Sequence, residues 1–210
     1  MISYKIHLLR TGGTGDSPQR RFVGRQNLPL SDNGREALNK LREELYYPNV
    51  EKVYSSPLLR CIQTAEILYP GCQPQITDGL KDMNLGEFEG KTFDELKTRQ
   101  VFQSWLSDSL NNTPPGGEQV EAFTRRITSA LDNIAKDMMR QKITSTAVIT
   151  HGGVLMALMA AIALPRLPIQ KWAVASGCGY TLLTSTQMWM QGGCAEAFAY
   201  LPGRLHDLED

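Results

Sequence analysis

Three short apolar runs end in polar residues, and each is followed by a turn and then a helical pattern. Ser3–Leu9 reads as a buried strand that stops at Arg10-Thr11 and enters a polar loop rich in Gly and Arg, reaching about Leu30. Ser31 then caps a helix whose apolar positions Ala37, Leu38, Leu41 and Leu45 recur at helical spacing. Val53–Ser55 is a short strand, and Ser56-Pro57 starts a helix with Ser at the cap and Pro in the first turn. Thr146–Thr150 is a third apolar strand, and His151-Gly152-Gly153 turns into a helix over Val154–Ala163. Strands that alternate with helices predict an α/β fold, a three-layer α/β/α sandwich with a mostly parallel central sheet. Such sheets bind ligands beyond the carboxyl ends of their strands. The polar ends Arg10-Thr11, Ser55-Ser56 and Thr150-His151 are therefore expected to meet in one crevice.

The remaining pattern completes this layout. Gln75–Thr77 is a candidate strand, followed by a glycine-punctuated loop to Gly90, and residues 92–110 read as helical up to Pro114-Pro115-Gly116-Gly117. Val120, Phe123, Ile127, Leu131, Ile134 and Met138 form the clearest helical stripe, which reads as a face packed on the core. Late strands are expected at Tyr180–Thr186 and Ala195–Leu201. A chain of 210 residues without repeats fits a single domain over 1–210.

Composition narrows the function classes. Basic and acidic side chains number 22 each, which argues against a general nucleic-acid surface but leaves room for a local basic pocket. Cys61, Cys72, Cys178 and Cys194 have no metal-ligand spacing and read as small buried hydrophobes in a reducing compartment rather than a disulfide framework or a zinc site. No metal-ligand cluster is visible, and neither a metal nor a cofactor is expected. No signal segment precedes the first strand, and the longest apolar run, Val154–Leu164, is too short to cross a bilayer. A cytoplasmic protein, monomeric or homodimeric and without membrane contact, is the expectation.

Taken singly, Arg10, Arg60 and His151 could be a surface arginine, a solvated helix residue and a strand terminus. Their surroundings change that reading. Ser55-Ser56-Pro57-Leu58-Leu59-Arg60-Cys61-Ile62-Gln63-Thr64-Ala65 follows the pattern S-S-P-L-x-R-x-x-Q-T-A. Gly24 to Ser31 with Gly34, Leu85 to Gly90, Pro115-Gly116-Gly117-Glu118 and Val148 to Gly153 supply further words in matching order. Together, over about residues 4–160, these resemble the histidine phosphatase superfamily, the phosphoglycerate-mutase-like group. Within it the compact chain looks most like the small phosphatases of the α-ribazole-phosphatase or broad-specificity type.

The resemblance implies a phosphate site. Arg10 and Arg60 align with the two family arginines, whose guanidinium forks suit a phosphoryl group. His151 aligns with the second family histidine, a donor to the transferring phosphoryl group. Gly12, with Gly13, Gly152 and Gly153, would let backbone approach the anion. Asp82 stands where the family usually has a glutamate that protonates the leaving alcohol, so its arm is one methylene shorter.

One position departs from the pattern. Thr11 stands where the family has its nucleophilic histidine, and a threonine hydroxyl needs an adjacent base to react comparably. His7, four residues up the strand at roughly 13 Å, does not obviously substitute. Nor does His206 in the polar tail. The expectation is a protein that binds inorganic phosphate or a small phosphorylated metabolite but turns it over poorly. The alternative is an active phosphomonoesterase with a substitute nucleophile, or an engineered Thr11 form of one. A nucleotide-binding loop at Thr11–Ser17 lacks the lysine it would need. Leaving-group contacts are expected from residues 15–26 and 82–118, where Arg20, Arg21, Arg25, Phe88, Phe102 and Trp105 are available. For those aromatics, helix-packing core is the favoured reading.

Overall fold

The computed structural model describes residues 2–15, 21–109 and 111–203. Seven strands form one sheet: β1 (Ser3–Arg10), β2 (Lys52–Ser55), β3 (Gln75–Ile76), β4 (Ser145–Thr150), β5 (Ala163–Leu164), β6 (Gly179–Ser185) and β7 (Ala195–Leu201). Their order is β3-β2-β4-β1-β6-β7-β5, and only β6 runs antiparallel to its neighbours. The mostly parallel sandwich expected from the sequence is therefore the fold. β4 and β1 lie at its centre, in register from Lys5 opposite Ser145 to Arg10 opposite Thr150.

Alternate residues of the central strands feed two cores, as a pleat of period two requires. Ile6, Leu8, Tyr54, Val148 and Leu182 pack against the helices α5 (Val120–Gln141) and α6 (Gly152–Ile162). Leu9, Val53, Ala147 and Ile149 pack on the other face, against α1 (Asp32–Glu44) and α2 (Leu59–Leu68). The stripe on α5 is a core face, buried at Phe123, Ile127, Leu131, Ile134 and Met138, with only Val120 partly open. Ser31 caps α1 by accepting from the Gly34 N–H, as its sequence implied.

Two local expectations are corrected. α2 does not start at Ser56: its N-cap is Leu58, without a side-chain cap, and the Ser56 hydroxyl meets His151 at 2.8 Å while accepting from the Leu58 N–H at 3.4 Å. Residues 92–110 do not form one helix but two, α3 (Phe93–Leu96) and α4 (Gln100–Ser107), while residue 110 lies outside the described residues. Neither α7 (Thr186–Gly192) nor β5 is among the elements expected from the sequence. Of the four cysteines, Cys61 and Cys178 are buried, Cys194 is partly so, and Cys72 is exposed. No described helix is long and apolar enough to cross a membrane.

Candidate phosphate-binding cleft

The strand ends meet because backbone pairing continues past the sheet. Thr11 N–H donates to the Thr150 carbonyl at 2.8 Å, and Ser56 N–H to the Ile149 carbonyl at 3.0 Å. Arg10, Thr11, Gly12, Arg60, Asp82 and His151 consequently line one cleft of about 550 Å³, with Arg21 on its wall. Clefts of about 720 Å³ between β3 and α5, and of about 730 Å³ near the start of β1, gather none of these six residues.

Arg60 is buried, with 3% of its surface exposed, and is held in place rather than free. Its Nη1 donates to the Gln26 carbonyl and its Nη2 to the Gly24 carbonyl, both at 2.7 Å, and Nη2 is 3.5 Å from Asp82 Oδ2. Its Nε donates to His151 Nδ1 at 3.1 Å. A guanidinium has five N–H groups, so one on Nη1 and the positive charge are left for a ligand. Arg10 is more open, and its Nη1 donates to the Val174 carbonyl at 2.6 Å.

These contacts fix the tautomer of His151. Because Arg60 Nε can only donate, Nδ1 accepts, and the ring proton sits on Nε2, 2.8 Å from Ser56 Oγ. Cys61 Sγ lies 3.5 Å from the same Nε2 and 3.7 Å from Nδ1. Burial first, and then the positive charges of Arg60 and Arg126, hold His151 well below the usual histidine value, so the ring is neutral. Asp82 Oδ2 faces Nδ1 at 3.7 Å. Burial pushes the Asp82 carboxyl up to about 6, against the opposing pull of Arg60. An acid that titrates close to neutrality thus stands beside a neutral imidazole whose Nδ1 lone pair is already taken by Arg60.

Thr11 is almost fully buried, at 6% exposure. Thr64 Oγ1 gives its proton to the Arg60 carbonyl at 2.6 Å, so across the 3.2 Å contact with Thr64 it is Thr11 that donates. The Gly12 carbonyl at 3.4 Å is a second acceptor, and the Cys61 thiol also interacts with the Thr11 side chain. Burial pushes that thiol up to about 12, so it stays protonated, and none of the three groups is a base. The Gly12 N–H donates to Thr64 Oγ1 at 3.0 Å. A Cβ at Gly12 would press on Leu38 and Leu30, so core packing alone already requires a glycine at this cleft position.

The other candidates separate clearly. Arg21 stays on the cleft wall, its Nη1 donating to the Gly90 carbonyl at 2.6 Å. Arg25 instead turns behind Asp82, where its Nη2 meets Glu118 at 3.0 Å. Phe88 and Phe102 are fully buried in a side cluster with Leu96, flanked by Trp105, which is the packing role favoured for them. His7 hydrogen-bonds Thr181 and Ser145 away from the cleft, and burial, aided by Lys5, lowers it to about 4. Arg20 and His206 lie outside the described residues. Sequence reasoning missed the wall formed by Ala175 and Ser176, which carries no motif, and misread Ser56 as a helix cap.

Comparison with known proteins agrees with the family resemblance and the fold. The profile of the histidine phosphatase superfamily (branch 1) matches residues 6–190. Phosphoglycerate mutase-like protein 4 of Arabidopsis thaliana is 30% identical over 161 residues, 73% of this chain and 69% of that protein. The α-ribazole phosphatase of Shigella flexneri superposes with a TM-score of 0.78 at 24% identity, covering 95% of this chain and 96% of that one. A phosphoglycerate mutase from Bacillus anthracis superposes with a TM-score of 0.75 at 18% identity, covering 94% and 92%. At those identities the two solved structures speak for the fold alone. The family match, which spans the cleft and both cores, shows that this chain belongs to the histidine phosphatase superfamily.

Proposed function

We propose that the cleft binds inorganic phosphate or a small phosphomonoester and that hydrolysis there is impaired. The observation that carries this reading is Thr11, whose hydroxyl sits at the expected nucleophile position and donates to Thr64 rather than to a base. Loss of the nucleophilic serine costs about 10⁶ in kcat in a protease such as subtilisin, whereas the groups that bind the anion are independent of the nucleophile. Arg10, Arg60 and Arg21 bring three positive charges to the cleft against the carboxyl of Asp82. His151 is a poor substitute nucleophile, because Arg60 occupies its Nδ1 lone pair and its Nε2 carries the proton.

Calorimetric titration of the unmodified protein with inorganic phosphate tests the binding half. Saturable binding that Arg60→Ala weakens at least about tenfold supports the reading, since charge-assisted hydrogen bonds are the strong ones. Absence of binding in the unmodified protein contradicts it.

A further inference from the structure

Asp82 is held from behind by two arginines that never enter the cleft. Arg25 Nε donates to the Asp82 carbonyl at 3.1 Å, and Arg126 Nη2 donates to the same oxygen at 3.3 Å. Arg126 Nη1 also donates to the carbonyls of Gly79 and Lys81, both at 2.9 Å. One carboxylate joins the pair. Glu118 takes Arg126 through both oxygens, at 2.9 and 2.8 Å, and takes Arg25 Nη2 at 3.0 Å. Its side chain is only 13% exposed, so solvent screens this network less than it would a surface pair.

The front of the residue shows what this grip is needed for. Asp82 Oδ2 stands 3.5 Å from Arg60 Nη2 and 3.7 Å from His151 Nδ1, at or beyond the limit of a hydrogen bond. A slight retreat of the backbone would take the carboxyl out of play, and aspartate has no further methylene with which to recover the reach. The N–H of Met83 fixes the other carboxyl oxygen, Oδ1, at 3.0 Å, which aims Oδ2 forward.

We propose that Arg25 and Arg126, joined through Glu118, are positioning residues that hold the Asp82 backbone forward so that its short side chain reaches the leaving-group side of the cleft. The proposal rests on the reading of the cleft as a phosphomonoester site. The clamp acts on an acid, so it matters only where the leaving group needs a proton.

The test uses the full chain carrying Thr11→His, assayed on 4-nitrophenyl phosphate, whose phenolate leaves unaided, and on ethyl phosphate, whose alkoxide needs an acid. The double variant Arg25→Lys/Arg126→Lys keeps both charges and loses both forks. It is expected to lower kcat on ethyl phosphate about tenfold or more, within the range of general acid catalysis, and on the nitrophenyl ester by no more than about twofold. Adding Asp82→Glu should recover most of the ethyl phosphate rate. Equal losses on both esters, or no recovery with the longer arm, would overturn the proposal. A second readout needs no turnover: carboxyl NMR titration of Asp82 with Thr11 in place. The double variant should move its midpoint measurably from about 6, because a retreat changes both its burial and its distance from Arg60, the two largest influences on it. An unchanged midpoint would count against the clamp. A Thr11→His protein inactive on both esters would instead sink the functional reading and leave the NMR result to decide the clamp.

Discussion

At the scale of residues, the site depends on where a few protons sit. Asp82 titrates near 6 because burial disfavours its charge, so the ionised form repels an anion arriving beside it. Sulfate keeps its double charge through the acid and neutral range and is a clean probe of this. Its affinity should rise about tenfold as pH falls through about 6, the effect of removing one charge a few ångströms away. Asp82→Asn should flatten that profile, as read by calorimetry at several pH values. The same raised value has a stability consequence. Folding is favoured fully below the ordinary carboxylate value, and that contribution is lost as pH rises through about 6. Asp82→Asn should therefore raise Tm at pH values above about 7 and leave it unchanged below about 4. Ser56→Ala would leave the His151 Nε2 proton without its acceptor, at a cost of about 1–3 kcal/mol in urea unfolding. Arg10, Arg60, Asp82 and His151 were legible in the sequence because each lies in a motif word or at a strand end. The partners of Ser56 were not, because an N-cap serine and a serine bonded to a distant imidazole look alike until the chain is folded.

At the scale of elements, periodicity carried the long segments and failed where tertiary contacts decide. The helix α5 could be read from its spacing alone, since one face meets the sheet along its whole length. The break between α3 and α4 could not, because no glycine or proline marks it. Nine residues of continuous helix, at about 100° each, would put Phe93 and Phe102 on opposite faces. Their rings are in fact 5.8 Å apart, and the chain breaks to bring both onto one aromatic cluster. That cluster is separate from the two cores on the sheet, which implies separate local stability. Phe102→Ala should cost about 3–5 kcal/mol there. Hydrogen exchange should accelerate across residues 85–105 while β1 and β4 keep their protection; uniform acceleration through the sheet would show one cooperative unit instead.

At the scale of the whole molecule, a parallel centre brings three distant segments to one edge, and that convergence was legible in the alternation of strands with helices and in the polar strand ends. The wall at Ala175 and Ser176 did not follow, because the segment that reaches it carries neither motif nor periodicity. Leu8 lies fully buried on β1, between the sheet and α6, and Leu8→Ala should cost about 2–5 kcal/mol of global stability. Phosphate affinity measured well below the unfolding transition should be preserved, because Leu8 points away from the cleft. The proposed phosphate site lacks only a nucleophile, and turnover of 4-nitrophenyl phosphate by the unmodified protein, by Thr11→His and by the unmodified protein carrying Arg60→Ala decides whether that holds. Hydrolysis with Thr11 should be negligible, and Thr11→His should raise it by several orders of magnitude; comparable rates with and without that substitution, abolished by Arg60→Ala, would refute the proposal.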